Sequence, residues 1–219
     1  MPSVIIPAYN EQSRIGDTVR AAATLPGIDR VIVVDDGSSD GTASIAKASG
    51  ADVRRHDRNR GKAAAMETGA DAAERETVLL FLDADLGETA ANAAPLLTPV
   101  LDGKADMTIA VFRTTVKLGG HGIVVRTARA GIERATGWSP TQPLNGQRCL
   151  TRAAFEAARP LARGFGAETG LTVDLMRKGF RVTEVEVDMA HRATGTDLRS
   201  QLHRARQLAD VTWALLVRR

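Results

Sequence analysis

Short apolar runs alternate with longer mixed stretches through the first half of the chain, and the alternation reads as strands and helices in turn. Val4-Ile5-Ile6 forms the heart of a buried strand over residues 3–7, and a helix follows over about 11–25, ended by Pro26-Gly27. Val31-Ile32-Val33-Val34 within 30–35 suits a second strand covered on both faces. A polar turn, Asp36-Gly37-Ser38-Ser39-Asp40-Gly41, opens a helix over about 42–49, and a brief strand lies at about 51–55. Further on come a helix over about 62–74, a strand over about 77–82, a helix over about 91–101 and a strand over about 106–112.

Such alternation predicts an α/β fold with a mostly parallel, Rossmann-like sheet flanked by helices. In these sheets ligands bind beyond the carboxyl ends of the strands. Pro7, Asp35 and Asp83 all fall at those ends and point to one rim. After residue 113 the alternation fades. Leu118-Gly119-Gly120-His121-Gly122 reads as a loop, with helices expected over about 123–136, 151–158 and 167–178. Residues 181–188 alternate valine with acids and threonine, as a half-exposed strand does. Leu198, Leu202, Leu208, Leu215 and Leu216 mark one side of a final helix over about 197–217. With neither repeat nor linker, 1–219 is expected to be a single domain: a first half over 1–115, a second over 116–195 and a basic amphipathic helix over 196–219.

Composition adds limits. Hydrophobic residues make up 43% and charged residues 25%, as in ordinary globular proteins, and no apolar run has the length of a membrane span. A cytoplasmic address, at most peripheral to the inner face of the membrane, is the expectation. The single Cys149 excludes an internal disulfide and a multi-cysteine zinc site, and between Arg148 and Leu150 it reads as a small buried hydrophobe. A net charge of +3 conceals two basic clusters. One holds Arg54, Arg55, Arg58, Arg60 and Lys62 against Asp57; the other is the C-terminal helix. Clusters of this kind attract phosphates, nucleic acid or anionic lipid, or are simply solvated. With 4% aromatic residues there is little for base stacking, so nucleic acid is not expected as a partner.

The chemistry concentrates at Asp83-Ala84-Asp85, a DXD triplet at the exit of the apolar run Val78-Leu79-Leu80-Phe81-Leu82. Two carboxylates separated by one small residue can converge on a hard cation, and Mg²⁺ or Mn²⁺ is commonly held by one or two carboxylates plus substrate phosphates. The same acids could instead end a strand and cap the next helix.

Four segments, in order, resemble glycosyltransferase family 2: Val4-Ile5-Ile6-Pro7-Ala8-Tyr9-Asn10-Glu11, Val33-Val34-Asp35-Asp36-Gly37-Ser38-Ser39-Asp40-Gly41-Thr42, Asn59-Arg60-Gly61-Lys62 and Asp83-Ala84-Asp85. The resemblance covers roughly the first 115 residues and implies the GT-A fold, a nucleotide-diphosphate sugar donor (UDP- or GDP-linked) and a hexosyltransferase type of activity. It implies that Pro7, Ala8, Tyr9 and Glu11 line the nucleoside pocket with Asp35 and Asp36, the latter bonding base or ribose. Lys62 would meet a phosphate at a helix start, though a lysine there is otherwise a solvent-facing one. Asp85 would hold the metal, with Asp83 and Ala84 beside it and Asp83 reaching either the metal or the sugar hydroxyls. One departure stands out. Polyprenyl-phosphate enzymes of this family often place a Gln two residues after the second acid, where this chain has Gly87. A third ligand would then be water or another side chain, and His191, in Ala190-His191-Arg192, is the candidate.

The second half resembles two branches more loosely. Gly166-Ala167-Glu168-Thr169-Gly170-Leu171 is similar to dolichol-phosphate mannose synthase-like enzymes. Gln142-Pro143-Leu144-Asn145-Gly146 and Gly164-Phe165-Gly166 are similar to glucosyl-3-phosphoglycerate synthase-like enzymes. Both imply a phosphorylated acceptor, either a polyprenyl phosphate or a small metabolite such as phosphoglycerate. Arg126, Arg129 and Arg148 are candidate acceptor cations, since a guanidinium fork suits phosphate or carboxylate; helix-surface positions are the alternative. Glu168 is a candidate base for a hydroxyl acceptor, or an orienting group for a phosphate one. The final helix is expected to pack on the core, on a second copy as a homodimer contact, or on a membrane surface. Two other readings share parts of the pattern. A receiver domain also pairs acids with a later Asp, and a sugar-phosphate nucleotidyltransferase shares the architecture but needs a glycine-rich loop after its first strand, which is missing here.

Overall fold

The structure, a computed structural model, describes residues 1–113, 122–189 and 198–218, with backbone alone over 198–205. Its centre is a seven-stranded sheet made of β1 (Pro2–Ala8), β2 (Arg30–Asp35), β3 (Asp52–Arg55), β4 (Val78–Phe81), β5 (Met107–Phe112), β6 (Arg148–Thr151) and β7 (Val182–Val187). In space the order is β3-β2-β1-β4-β6-β5-β7. All neighbours are parallel except β6, which runs antiparallel between β4 and β5. The second half of the chain therefore extends the same sheet.

Because side chains alternate across a strand, each central strand feeds two cores. Val4 and Ile6 of β1 face one side with Val33 and Leu80, against α1 (Ile15–Ala23), α2 (Thr42–Ala48) and α4 (Ala94–Leu101). Ile5 faces the other side with Ile32, Val34, Leu79 and Phe81, against α3 (Lys62–Ala72), α6 (Arg152–Ala158) and α7 (Ala167–Arg177). This double burial is why β1, β2 and β4 read as unbroken apolar runs. A third, smaller cluster joins α5 (Gly122–Thr136) to α8 (Leu198–Leu216) through Val124, Ala128 and Val211.

Two local differences from the sequence reading have clear causes. Helix α1 starts at Ile15 rather than near 11, because residues 9–14 are held as a turn. Asn10 adopts φ 56°, its N–H donates to Ser38 Oγ at 2.9 Å, and its side-chain carbonyl accepts from Ser39 N–H at 3.0 Å. Strand β6 was not expected at all: four residues opening with an arginine carry no readable period. Cys149 lies in β6 fully buried, as the small hydrophobe expected, and burial pushes its thiol up. The glycine-rich loop before Gly122 and the segment containing His191 lie outside the described residues. Among the described residues no helix is long and apolar enough to cross a membrane.

Candidate active site

Three strand ends meet at the carboxyl rim. The end of β1 supplies Pro7 and Ala8 and the turn after it Tyr9, the turn after β2 supplies Asp36, and the turn after β4 supplies Asp83. They border a cavity of about 320 Å³ whose wall includes Pro7, Tyr9, Asp36, Lys62, Asp83 and Phe165. Tyr9 is 48% exposed, so its ring offers a flat apolar face to whatever enters.

Asp36 is buried, and its carboxylate is already heavily engaged. Arg60 N–H donates to Oδ1 at 2.8 Å, Gly61 N–H donates to Oδ2 at 2.7 Å, and His56 Nδ1 lies 2.7 Å from Oδ1. A carboxylate offers about four acceptor positions, and three of them are taken here. The dominant work of Asp36 is to fold the basic loop 57–61 and deliver Lys62 at the first position of α3. Asp35, completely buried, accepts from Ser38 N–H at 3.0 Å and pairs with Arg55 at 3.0 Å. That makes it the turn residue among the alternatives, away from the cavity wall. Glu11 also lies off that wall; its N–H donates to Thr42 Oγ1 at 2.8 Å, stitching the first turn to the second.

The acid triplet is anchored from behind. Thr18 Oγ1 donates to the Ala84 carbonyl at 2.8 Å and accepts from Gly87 N–H at 2.8 Å. Gly87 takes φ +58°, a conformation that a side chain such as Gln rarely adopts, which accounts for the departure at this position.

Lys62 bridges the two halves of the site. Its Nζ lies 2.6 Å from Asp83 Oδ1 and 2.8 Å from Glu168 Oε1, at the start of α7. Burial pulls the ammonium toward neutrality, yet the two carboxylates more than offset this and hold it protonated above the usual lysine range. Gln147 Nε2 donates to the second oxygen of Asp83 at 2.7 Å, while its own Oε1 is buried without a hydrogen-bond partner among the described residues. Gly146 makes this closeness workable: a Cβ there would sit 2.4 Å from Lys62 Nζ and 2.8 Å from Asp83 Oδ1. His56 and Gln147 escaped the sequence reading, and Gly146 entered it only within the resemblance over residues 142–146. Asn145-Gly146 carried the signature of a tight turn, but nothing local marked Gln147.

The three arginines do not converge as expected. Arg148 is fully buried in β6 and spends its guanidinium on the Asn145 carbonyl at 2.9 Å, the Pro143 carbonyl at 3.0 Å and Thr172 Oγ1 at 2.8 Å. It clamps the loop 143–147 from below and presents nothing to an acceptor at the surface. Burial pushes it down to about 10, with Glu168, Glu184 and Asp83 pulling the other way, so it stays charged at neutral pH. Arg129 donates to the carbonyls of Pro140 at 2.8 Å and Thr141 at 2.6 Å, bracing the same loop from α5. Arg126 is exposed and donates to the Gly122 carbonyl at 3.0 Å.

The donor set can be tested for a cation. Asp83 and Asp85 are hard oxygen donors, half-buried at the rim, but no group of three or more His, Cys, Asp or Glu able to hold a metal occurs among the described residues. Both oxygens of Asp83 are engaged. An acid pair short of a full ligand set suits Mg²⁺ or Mn²⁺ completed by substrate phosphates and water.

A wound sheet with an acid triplet and a bridging lysine at its carboxyl rim, beside a nucleoside-sized cavity, defines the GT-A class of nucleotide-sugar transferases. Residues 3–150 match the model of glycosyl transferase family 2, and the chain belongs to that family. It is 29% identical over 198 residues to glycosyltransferase AglJ of Haloferax volcanii, covering 89% of this chain and 64% of that protein. It is 30% identical over 196 residues to glucosyl-3-phosphoglycerate synthase of Mycolicibacterium paratuberculosis, covering 78% of this chain and 59% of that protein. The chain thus spans about three-fifths of the length of these curated relatives. The fold matches the crystal structure of glucosyl-3-phosphoglycerate synthase from Mycobacterium tuberculosis in complex with Mn²⁺, UDP and phosphoglyceric acid. That match has a TM-score of 0.83 and 27% identity, and covers 100% of this chain and 78% of that one.

Proposed function

We propose that this chain transfers a sugar from a UDP-linked donor to a phosphorylated acceptor, using Mg²⁺ or Mn²⁺. The observation that carries the proposal is Lys62 joined to both Asp83 and Glu168 at the wall of the cavity. The relatives support it, because the similar mycobacterial synthase was solved with Mn²⁺, UDP-glucose and phosphoglyceric acid.

In this reading the nucleoside lies against Pro7, Ala8 and Tyr9, and the basic loop held by Asp36 meets the diphosphate through Lys62. Asp85, with Asp83, would hold the cation, which when bound supplies Lewis acidity to the departing diphosphate. Asp83, fixed by Lys62 and Gln147, faces the sugar hydroxyls and orients the ring. The bond from the anomeric carbon to the diphosphate oxygen breaks, the nucleoside diphosphate keeps the electron pair, and an acceptor oxygen forms the new bond. Glu168 Oε1 is held by Lys62 at 2.8 Å, so its role is to position donor and acceptor. A phosphate acceptor is already an anionic nucleophile and needs no base; a hydroxyl acceptor would pass its proton to an oxygen of the departing nucleoside diphosphate.

The test is direct. UDP should raise the melting temperature more than GDP does, and only with Mn²⁺ present, as expected for a ligand that binds the folded state alone. UDP-glucose supplied with 3-phosphoglycerate or with a polyprenyl phosphate should yield a glycosylated product and UDP. Failure of every nucleotide to stabilise the protein, with no UDP released from any acceptor, would refute the proposal.

A further inference from the structure

The C-terminal half of α8 is apolar on both sides. Its inner side, Val211 and Ala214, is buried in the molecule, with Leu208 and Leu215 partly buried against α5. Its outer side carries Trp213 at 69% exposure and Leu216 at 43%, and Val217, at 56%, follows just past the helix end. Residues 213 and 216 fall within one helix face, and exposed Arg206 lies two turns earlier on the same face. An ordinary surface helix would turn polar residues outward here.

Cations rim this face. On one side a cavity of about 530 Å³ between α5, α7 and α8 includes Arg134, Arg177 and Leu216 in its wall. On the other a cavity of about 400 Å³ includes Arg163, Trp213 and Val217. Arg134, Arg163, Arg177 and Arg206 are exposed and have no carboxylate partner among the described residues, although Arg177 already donates to the Ala135 and Arg218 carbonyls. The acids within the face are already used: Asp174 pairs with Arg218 at 2.7 Å, and Asp210 accepts from Phe165 N–H at 3.1 Å.

From this arrangement we infer that the outer face of α8 docks on an anionic lipid surface. Tryptophan with aliphatic neighbours suits the headgroup boundary, and surrounding arginines meet lipid phosphates. Two copies paired through the same face would set these arginine rims against each other, which disfavours a homodimer there. The position also matters for the cleft. Asp210 holds the turn carrying Phe165, which lines the donor cavity, so a docked membrane would lie beside the cavity's lip. The inference stands apart from the transfer reaction, because lipid binding requires no donor.

Co-sedimentation tests it, with vesicles of phosphatidylcholine alone or mixed equally with phosphatidylglycerol. The protein should partition to the anionic vesicles with a blue shift of tryptophan emission that Trp213→Ala removes. Trp213→Ala with Val217→Ser should weaken partitioning about tenfold or more. Arg134→Gln and Arg163→Gln should each weaken it about fivefold, with added salt acting in the same direction. All four positions are exposed, so circular dichroism should remain unchanged. Equal partition to both vesicle types, no partition at all, or a vesicle-free dimer dispersed by Trp213→Ala would overturn the inference.

Discussion

Lys62 Nζ stands 2.6 Å from Asp83 Oδ1, fastening the basic loop of the first half to the acid triplet across the cavity. Replacing it by Met leaves Asp83 and Glu168 facing each other without a cation. With Lys62 31% and Asp83 24% exposed, solvent softens the effect, and the loss is expected at about 1–3 kcal/mol. Urea unfolding checks this. The ammonium binds its proton more tightly in the folded state than at its ordinary value of 10.5, so its stabilisation is complete below that pH and fades only as pH rises through the higher folded value. The difference between wild type and Lys62→Met should therefore be constant across the neutral range. A difference that shrinks between neutral and mildly alkaline pH would contradict this.

Asp85→Ala should lower transfer by about 10²–10³-fold or more, on the scale of losing one preorganised electrostatic group. Its Mn²⁺-dependent gain in UDP affinity should vanish while the melting temperature without ligand stays unchanged. Titration calorimetry with and without Mn²⁺ decides it, and full turnover in the variant would remove Asp85 from the mechanism.

Gly146→Ala places a methyl group where Lys62 Nζ and Asp83 now lie, 2.4 and 2.8 Å away. The lysine end can move, so the fold should survive. A displacement near 1 Å at the reacting groups should reduce kcat/KM by about a hundredfold. Near-normal kcat/KM would show that the Lys62–Asp83 geometry is not needed.

Arg148→Met tests a residue whose chemistry suggested acceptor binding but whose burial makes it a brace. Two buried carbonyls and a hydroxyl lose their donor, so unfolding free energy should fall by about 2–5 kcal/mol with the denaturant slope unchanged. At a temperature where the variant is folded, its KM for the acceptor should match wild type. A large rise in acceptor KM at intact stability would restore the binding role.

Much of the donor side was legible because its signals are local. β1, β2 and β4 are buried on both faces and appear as apolar runs, and the residues just past each run must lie at the rim. Pro7 and Asp83 were placed at the rim in this way, whereas Tyr9, Asp36 and Lys62 came from the resemblance to glycosyltransferase family 2; the cavity brings all five together. Asp35 and Glu11 came from the same motifs, yet lie off the cavity wall. No local signal distinguishes an aspartate that lines a cavity from its neighbour that closes the loop, because alternate residues leave a strand in opposite directions.

The order of elements in the first half, the acid triplet and the family were determined by the amino-acid sequence itself, since buried parallel strands and tight turns impose short-range patterns on composition. Only the tertiary structure decided which side chains share the site. The antiparallel insertion of β6 between β4 and β5 carries Gly146 and Gln147 to Asp83, 64 residues away from Gln147 in the chain, and buries Arg148 beneath them. Contacts of that separation depend on how the sheet is threaded, and no spacing along a single chain records the threading.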